Sequence, residues 1–108
     1  DMREQLLSVN GIGMETADSI ILYAANKPTF VIDAYTYRIT VRHRLIDQED
    51  GYHIMKELFE GTLPKDTQLF NEFHALIVAT AKYYCKKKPQ CRHCPLNHLD
   101  HDPSLPEW

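Results

Sequence analysis

Three cysteines stand close together near the end of the 108-residue sequence, at positions 85, 91 and 94. An odd, clustered set is a poor basis for disulfide pairing, whereas clustered thiols are typical of metal sites. Arg92 and His93 between two of the cysteines, with Pro95 after them, suit a tight turn around a metal. Zinc would accept three thiols and one histidine. A loop of free thiols that binds no metal is the alternative.

Two glycines separated by one residue lie between two segments of helical periodicity. Gly11 and Gly13 both allow positive φ and a close approach of the backbone to another molecule. A helix beginning at about Gly13 would direct its unpaired N–H groups and positive dipole end at the turn, which favours an anion such as a phosphate. Ile12 would fill the junction of the two helices. A plain corner without a ligand is the alternative, because the motif is short.

Asp33 follows the apolar stretch 30–32 and precedes another helical segment. This position predicts an N-cap for a helix that reaches toward Leu45. Backbone N–H bonds there would keep the carboxylate ionised beside apolar neighbours. The capping role alone is the simpler interpretation of this aspartate.

The elements that hold these residues are predicted to be helices, because apolar residues recur at intervals of three and four. The clearest helix begins after the N-cap Asp66 and runs to about Tyr84. His74 is assigned to its polar or half-buried side and is interpreted as structural. The apolar face of this helix is predicted to contain Leu69, Phe73, Leu76, Ile77, Thr80 and Tyr84.

Three further helices are predicted, within residues 3–8, from Met14 to about Asn26, and from Tyr52 to Glu60. The last is expected to end at Gly61 as the residue after its C-cap, and to bury Ile54, Met55, Leu58 and Phe59. Only Val31 and Ile32 resemble a strand. The fold class is therefore all-α.

The composition is that of one ordinary domain, with 44% hydrophobic and 25% charged residues. The sequence has no apolar run near the ~20 residues of a membrane span and no secretory signal, so an intracellular protein without membrane contact is expected. The formal net charge is -3. Basic residues are nevertheless concentrated, at 82–92 and among Arg38, Arg42 and Arg44, and local basic surface is what matters for phosphate.

The order of these features resembles the endonuclease III, or HhH-GPD, superfamily of DNA glycosylases. There a Gly-hydrophobe-Gly turn in a helix-hairpin-helix grips the DNA backbone, and an aspartate follows some twenty residues later. Here the matching stretches are 6–18 and 30–38, with Asp33 in the place of that aspartate. The long helix and the cysteine loop follow in the same order. The resemblance therefore covers nearly the whole chain.

The resemblance implies that Asp33 is a catalytic carboxylate, which would stabilise positive charge on the sugar and orient or deprotonate a water molecule. Bifunctional members carry a lysine nucleophile where this chain has Glu15, so a monofunctional glycosylase is implied. The run 31–37 is most similar to the 3-methyladenine glycosylases of endonuclease III type, which implies an alkylated base. Tyr35, Tyr37 and Phe30 are the candidates for holding the flipped base, and a place in the core is the alternative for each.

The expected partner is double-stranded DNA with a damaged base, bound by a monomer in the cytoplasm and associated with the nucleoid. The candidate DNA contacts are Asn10, Gly11, Ile12, Gly13, Glu15, Thr16, Arg38, Lys86, Lys87 and Lys88. Two alternatives remain. One is a non-catalytic helix-hairpin-helix module that binds DNA, and the other is a metal-stapled module that binds protein and has no affinity for DNA.

The resemblance also implies a [4Fe-4S] cluster held by Cys85, Cys91 and Cys94. Asp100 takes the place of the fourth cysteine, and His98, His101 or a ligand from outside this sequence are the alternatives for that position. The family spaces its four cysteines by six, two and five residues, and the first gap here is one residue shorter. Zinc, or no metal, are the alternatives. The chain is expected to be one domain of a longer protein, because the family enzymes are about twice its length. Its parts are a hairpin at 1–26, an aspartate segment with helices at 27–84, and a cysteine loop with tail at 85–108.

Overall fold

In a computed structural model, which describes residues 1–106, the chain contains five α-helices. A π-helical segment, Ile20–Ala24, continues the second helix, and one 3-10 turn, Cys91–His93, lies in the cysteine loop. None of residues 1–106 forms a β-strand, so the prediction of an all-α fold is confirmed. The helices are α1 Met2–Leu7, α2 Met14–Ser19, α3 Ala34–Arg42, α4 Tyr52–Thr62 and α5 Thr67–Tyr83.

Two helices begin at the aspartates that the sequence marks as N-caps. The Asp66 carboxylate accepts a hydrogen bond from the Leu69 N–H at 3.0 Å, and α5 begins one residue after it. The Asp33 carboxylate accepts from the Thr36 N–H at 2.8 Å and starts α3 in the same way. Both boundaries follow from local capping chemistry, which supplies acceptors for otherwise unpaired N–H groups.

Three predicted details are wrong. Gly61 does not follow a C-cap, because α4 continues through it to Thr62. Ile54 on α4 is 49% exposed, and Leu76 on α5 is 67% exposed, although both were expected to be buried. The helix α5 instead buries Phe70, Ile77 and Ala81, a face centred away from Leu76. Among the described residues, the neighbourhood of Leu76 is an open apolar groove.

The core is organised around Phe30, which is fully buried although it lies in an extended segment. Its ring stacks on Phe59 of α4 at 4.3 Å between centroids, and meets Phe70 of α5 edge-on at 5.6 Å. Its backbone N–H donates to the Glu60 carboxylate at 2.8 Å. Val31 and Ile32 are buried beside it without pairing as a strand. This anchoring fixes the position at which Asp33 leaves the core.

The segment after α5 is tied to the helices by Arg42, which is only 2% exposed. Its guanidinium donates to the carbonyl oxygens of Lys86, Lys87 and Leu105, and to the Cys85 sulfur at 3.2 Å. Charged donors to several carbonyls make strong, directional links. A single buried side chain therefore connects the cysteine loop and the tail to α3. No helix in the part of the chain described here is both long and apolar enough to cross a membrane.

Candidate functional site

The glycine turn joins α1 to α2 and presents the start of α2 to solvent. Gly11 has φ +94°, a conformation that favours glycine, and the Ile12 N–H closes the turn by donating to the Val9 carbonyl at 3.1 Å. Gly13 is the N-cap of α2 and is extended, without a side-chain cap. A Cβ at Gly13 would meet nothing within 4 Å. Only Gly11 therefore needs glycine for its backbone, while glycine at position 13 leaves open space beside the helix end.

The two carboxylate oxygens of Asp33 have different partners. Oδ1 accepts from both the backbone N–H and the hydroxyl of Thr36, at 2.8 and 2.9 Å. Oδ2 lies 2.8 Å from Nε2 of His74, which projects from α5. Asp33 is thus fixed from its own helix and from a helix 41 residues further along the chain.

Asp33 and the glycine turn share one cleft of about 460 Å³. The turn contributes the first residues of α2, and α3 and α4 close the opposite wall. Asp33 lies at the edge of this cleft with 13% of its side chain exposed. The arrangement brings a carboxylate and a helix N-terminus to the same opening. The lining residues are Gly13, Met14, Glu15, Thr16, Ile32, Asp33, Ala34, Tyr37, Tyr52 and Met55.

The surroundings of Asp33 favour its ionised form. Burial raises the pKa of the carboxyl group, but the hydrogen bonds from His74 and from the Thr36 N–H and hydroxyl lower it by more. The net result is a pKa below the ordinary value for aspartate. Asp33 is therefore a carboxylate at neutral pH, although most of its side chain is buried.

Comparison with known proteins finds DNA repair enzymes. Over 98 residues the chain is 50% identical to a Methanocaldococcus jannaschii protein named as a candidate DNA repair glycosylase, with 91% of this chain and 44% of that protein covered. Endonuclease III of Bacillus subtilis is 24% identical over 98 residues, at 90% and 44% coverage. A solved structure of endonuclease III in a non-covalent complex with DNA matches with a TM-score of 0.83 at 24% identity, covering 94% of this chain and 47% of that one.

The chain is therefore similar to DNA repair glycosylases and to endonuclease III over about nine-tenths of its own length. Its all-helical architecture is the endonuclease III fold. No family model matches the sequence. The chain spans less than half the length of the curated relatives named above.

The endonuclease III fold brings some of the predicted site residues to the cleft and leaves others apart. Tyr37 lines the cleft, and its hydroxyl donates to the Gln48 carbonyl at 2.7 Å. Tyr35 packs against the core instead, with the Arg38 guanidinium 5.4 Å from its ring centroid. Arg38 donates to the carbonyls of Cys85 and Ala81 at the end of α5. Tyr35 and Arg38 both make contacts within the fold. Their predicted roles, holding the base for Tyr35 and contacting DNA for Arg38, stay predictions.

At the turn, Asn10 and Gly11 are exposed and Ile12 is half-buried between the helices. Gly13, Glu15 and Thr16 line the cleft. The side chains of Lys86, Lys87 and Lys88 are exposed on the cysteine loop, where the Arg42 guanidinium holds two of their carbonyls.

The three cysteines line one small cavity, together with Arg42, His43 and His101. Burial and the neighbouring thiols raise the pKa of Cys91. Asp100 is not among the residues that line this cavity; it lines the apolar groove that also contains Leu76, and its carbonyl is 2.9 Å from His43 Nδ1. Within residues 1–106, no three or more His, Cys, Asp or Glu side chains form a group that could hold a metal. In the described part of the chain, these residues are therefore not arranged as the ligands of the predicted cluster or of a zinc ion.

Sequence reasoning missed the contact of His74 with Asp33 and the contact of Tyr23 with His74. His74 contacts Asp33 from α5, and the Tyr23 hydroxyl lies 3.0 Å from the other ring nitrogen of His74. A signal was present, because His74 is four residues after Phe70 and three before Ile77, and so lies on the buried face of α5. The pairing with Asp33 itself joins positions too far apart for local patterns to show.

Proposed function

We propose that Asp33 and the glycine turn form the active site of a base-excision DNA glycosylase, which hydrolyses the N-glycosidic bond of a damaged base. The observation that carries this proposal is the single cleft shared by an ionised carboxylate and the start of α2. The relatives' names and the endonuclease III fold support it. Since the chain spans less than half of those relatives, the proposal concerns the complete protein.

The chemistry asks for a fixed negative charge beside the sugar. Positive charge develops on the deoxyribose as the base departs, and a preorganised carboxylate stabilises that charge most in a site that excludes water. Asp33 fits, because it is ionised, mostly buried and held by hydrogen bonds to both oxygens. The same carboxylate would orient the attacking water and accept its proton.

The backbone N–H groups of the glycine turn would bind the DNA phosphates. The first N–H groups of α2 have no side-chain cap, so they are free to face a phosphate at the positive end of the helix. The open space at Gly13 lets a phosphate approach closely. The exposed lysines of the cysteine loop would add sequence-independent attraction, and each phosphate they neutralise adds about one unit to the salt dependence of binding.

The cleft would receive the nucleotide after it leaves the base stack. Its volume of about 460 Å³ lies within the ordinary range for small-molecule sites. Tyr37 on its wall offers a ring for the base. Glu15 at its edge adds negative charge, which favours a cationic, alkylated base over a neutral one.

The absence of a lysine at the start of α2 points to a monofunctional enzyme. A lyase needs an amine that attacks the sugar carbon C1′ and forms a Schiff base. The residue at that place is Glu15, and the cleft lining contains no lysine among the described residues. The product would be an abasic site in an uncut strand. Such a protein would act on DNA as a monomer in the cytoplasm, associated with the nucleoid.

The proposal is tested with the complete protein and duplexes that contain alkylated bases, uracil or mismatched thymine. We expect release of free base, an intact strand, and no covalent complex after borohydride reduction. Glu15→Lys restores an amine at the start of α2 and should yield a trapped protein–DNA complex. Failure to release any base while DNA binding persists would leave a non-catalytic DNA-binding module. A trapped complex with the wild type would contradict the monofunctional assignment.

A further inference from the structure

A chain of three side chains reaches Asp33 from the side opposite Thr36. Nε2 of His74 is 2.8 Å from Asp33 Oδ2, and Nδ1 of the same ring is 3.0 Å from the Tyr23 hydroxyl. A neutral imidazole satisfies both contacts in one tautomer, in which Nε2–H donates to the carboxylate and Nδ1 accepts from tyrosine. The Tyr23 and His74 rings also meet edge-on, with centroids 6.4 Å apart.

The hydrogen bonds leave the oxygens of Asp33 unequal. Oδ1 already accepts two bonds from Thr36, which uses the capacity of a carboxylate oxygen with two lone pairs. Oδ2 accepts one bond in the structure, from His74. The remaining lone pair is therefore on Oδ2, and the bond from His74 sets the direction in which that lone pair points.

We propose that His74 is the positioning residue of Asp33, and that Tyr23 holds its ring so that Oδ2 faces the attacking water. This inference rests on the proposed function. In the reaction, the water oxygen bonds to C1′, the C1′–N bond breaks with its electron pair leaving on the base, and the water proton passes to Asp33 Oδ2. His74 keeps its own proton on Nε2 throughout and touches neither sugar nor base.

If His74 positions Asp33, its removal should change the protonation of the Asp33 carboxylate. A merely structural link between α5 and α3 would not have this effect. The bond from His74 is one of the causes that lower the pKa of Asp33, and burial, with a smaller contribution from the Asp33 carboxylate, raises the pKa of Tyr23. Removing His74 should therefore extend protonation of Asp33 to higher pH. The titratable groups that face Asp33 from the elements around it are Glu15, Tyr23, Tyr37, Tyr52 and His74.

The first experiment measures single-turnover base release by the complete protein as a function of pH. His74→Leu removes the donor, and we expect the maximal rate to fall about 10- to 100-fold, since hydrogen bonds to charged groups are the strong ones. KM should change little, and the acid limb should move to higher pH. His74→Gln keeps a donor of similar reach and should restore most of the rate. His53→Gln, on the exposed face of α4, is the matched control and should behave as the wild type.

Tyr23→Phe gives an intermediate test, because it keeps the ring and the donor to Asp33 but releases Nδ1. A loss of about 2- to 5-fold in rate is expected, in line with one neutral hydrogen bond. The inference would be overturned if His74→Leu and Tyr23→Phe both released base at the wild-type rate with the acid limb of the pH profile unchanged. If His74→Leu does not fold, the rates and acid limbs of His74→Gln and Tyr23→Phe test the inference instead. A His74→Gln enzyme as inactive as Asp33→Asn would contradict positioning by a donated hydrogen bond.

A second measurement separates this inference from the proposed function. The pKa of the Asp33 carboxyl group is followed by carbon NMR in the wild type and in His74→Gln, His74→Leu and Tyr23→Phe. We expect it to rise in His74→Leu and to change least in His74→Gln, whatever the protein does to DNA. A rise together with a wild type that releases no base would refute the glycosylase assignment alone. An unchanged pKa in an active enzyme would refute the role of His74 alone.

Discussion

Two aspartates near the glycine turn have opposite settings. Asp18 on α2 has a side chain with no exposed surface, and it accepts hydrogen bonds from Arg3, Thr29 and Tyr52. Asp33 accepts a comparable number of bonds, yet it remains 13% exposed and lies at a cleft. Being buried and hydrogen-bonded therefore does not by itself distinguish the proposed catalytic carboxylate from a structural one. What distinguishes Asp33 is a lone pair left over and an opening beside it.

The surroundings of Asp18 connect the hairpin to the rest of the fold. Arg3 reaches it from α1 at 2.9 Å and Tyr52 from α4 at 2.7 Å. Thr29 links it to a second polar group, the ion pair between Lys56 and Glu60 on α4. Three elements thus meet at one carboxylate that solvent does not reach. We expect Asp18 to support stability and Asp33 to support chemistry, and each expectation has its own measurement.

The largest effect on stability is expected from Asp18→Ala. It leaves the Arg3 guanidinium and the Tyr52 hydroxyl without their shared acceptor, and each partly buried donor left without an acceptor costs about 1–3 kcal/mol. Urea denaturation of the chain should show this loss in the free energy of unfolding. Asp66→Ala is the graded control, because the carboxylate of that exposed N-cap accepts from the Leu69 N–H, and its loss should cost about 1 kcal/mol. Equal losses in the free energy of unfolding of Asp18→Ala and Asp66→Ala would contradict the structural role assigned to Asp18.

Tyr52→Phe should have a smaller effect of about 1 kcal/mol, the net contribution of one hydrogen bond. Burial raises the pKa of the Tyr52 hydroxyl strongly, and the bond to Asp18 raises it further, so the group is neutral and acts only as a donor. The unfolding midpoint in urea reports the change. Tyr83→Phe, at an exposed tyrosine of α5, is the control and should leave the midpoint unchanged. A Tyr52→Phe protein as stable as the wild type would show that Arg3 and Thr29 satisfy Asp18 without the tyrosine.

The smallest effect concerns Asp33 and pH. Burial raises its pKa, but the bonds from His74 and Thr36 lower it by more, so the folded-state value lies below the unfolded one. Its contribution to stability is therefore complete above the unfolded-state pKa of about 3.9 and is lost as pH falls through the folded-state value. Asp33→Asn still caps α3 and serves as the reference. The wild type should have the higher free energy of unfolding, and this difference should disappear only below about pH 4. An advantage that disappears between pH 5 and 7 would contradict this sign.

Local patterns predicted the parts of the fold that local chemistry determines. Asp66 and Asp33 cap helices because their carboxylates bind N–H groups three residues ahead, and that requirement is visible in the sequence. The turn at Gly11 is local in the same sense. The exposed Leu76 was mispredicted because periodicity alone does not say which apolar face meets the core.

The site was only partly predictable for a related reason. Asp33 and the turn were singled out by type and spacing, whereas the bond to His74 spans 41 residues and depends on how α5 packs against α3. The Arg42 links to residues 86, 87 and 105 are equally long-range. A resemblance supplied the expected ligand role of Asp100, but Asp100 lines the apolar groove and is not among the residues that line the cavity of the three thiols.

The most direct measurement is single-turnover base release by the complete protein carrying Asp33→Asn, on the best substrate of the wild type. The account predicts a rate reduced by at least about 100-fold, the scale of losing one preorganised electrostatic group. Binding to the same duplex should be unchanged or tighter, because one negative charge is removed near DNA. Base release at the wild-type rate with equal binding would contradict the account, since a carboxylate at this place would then do no chemistry.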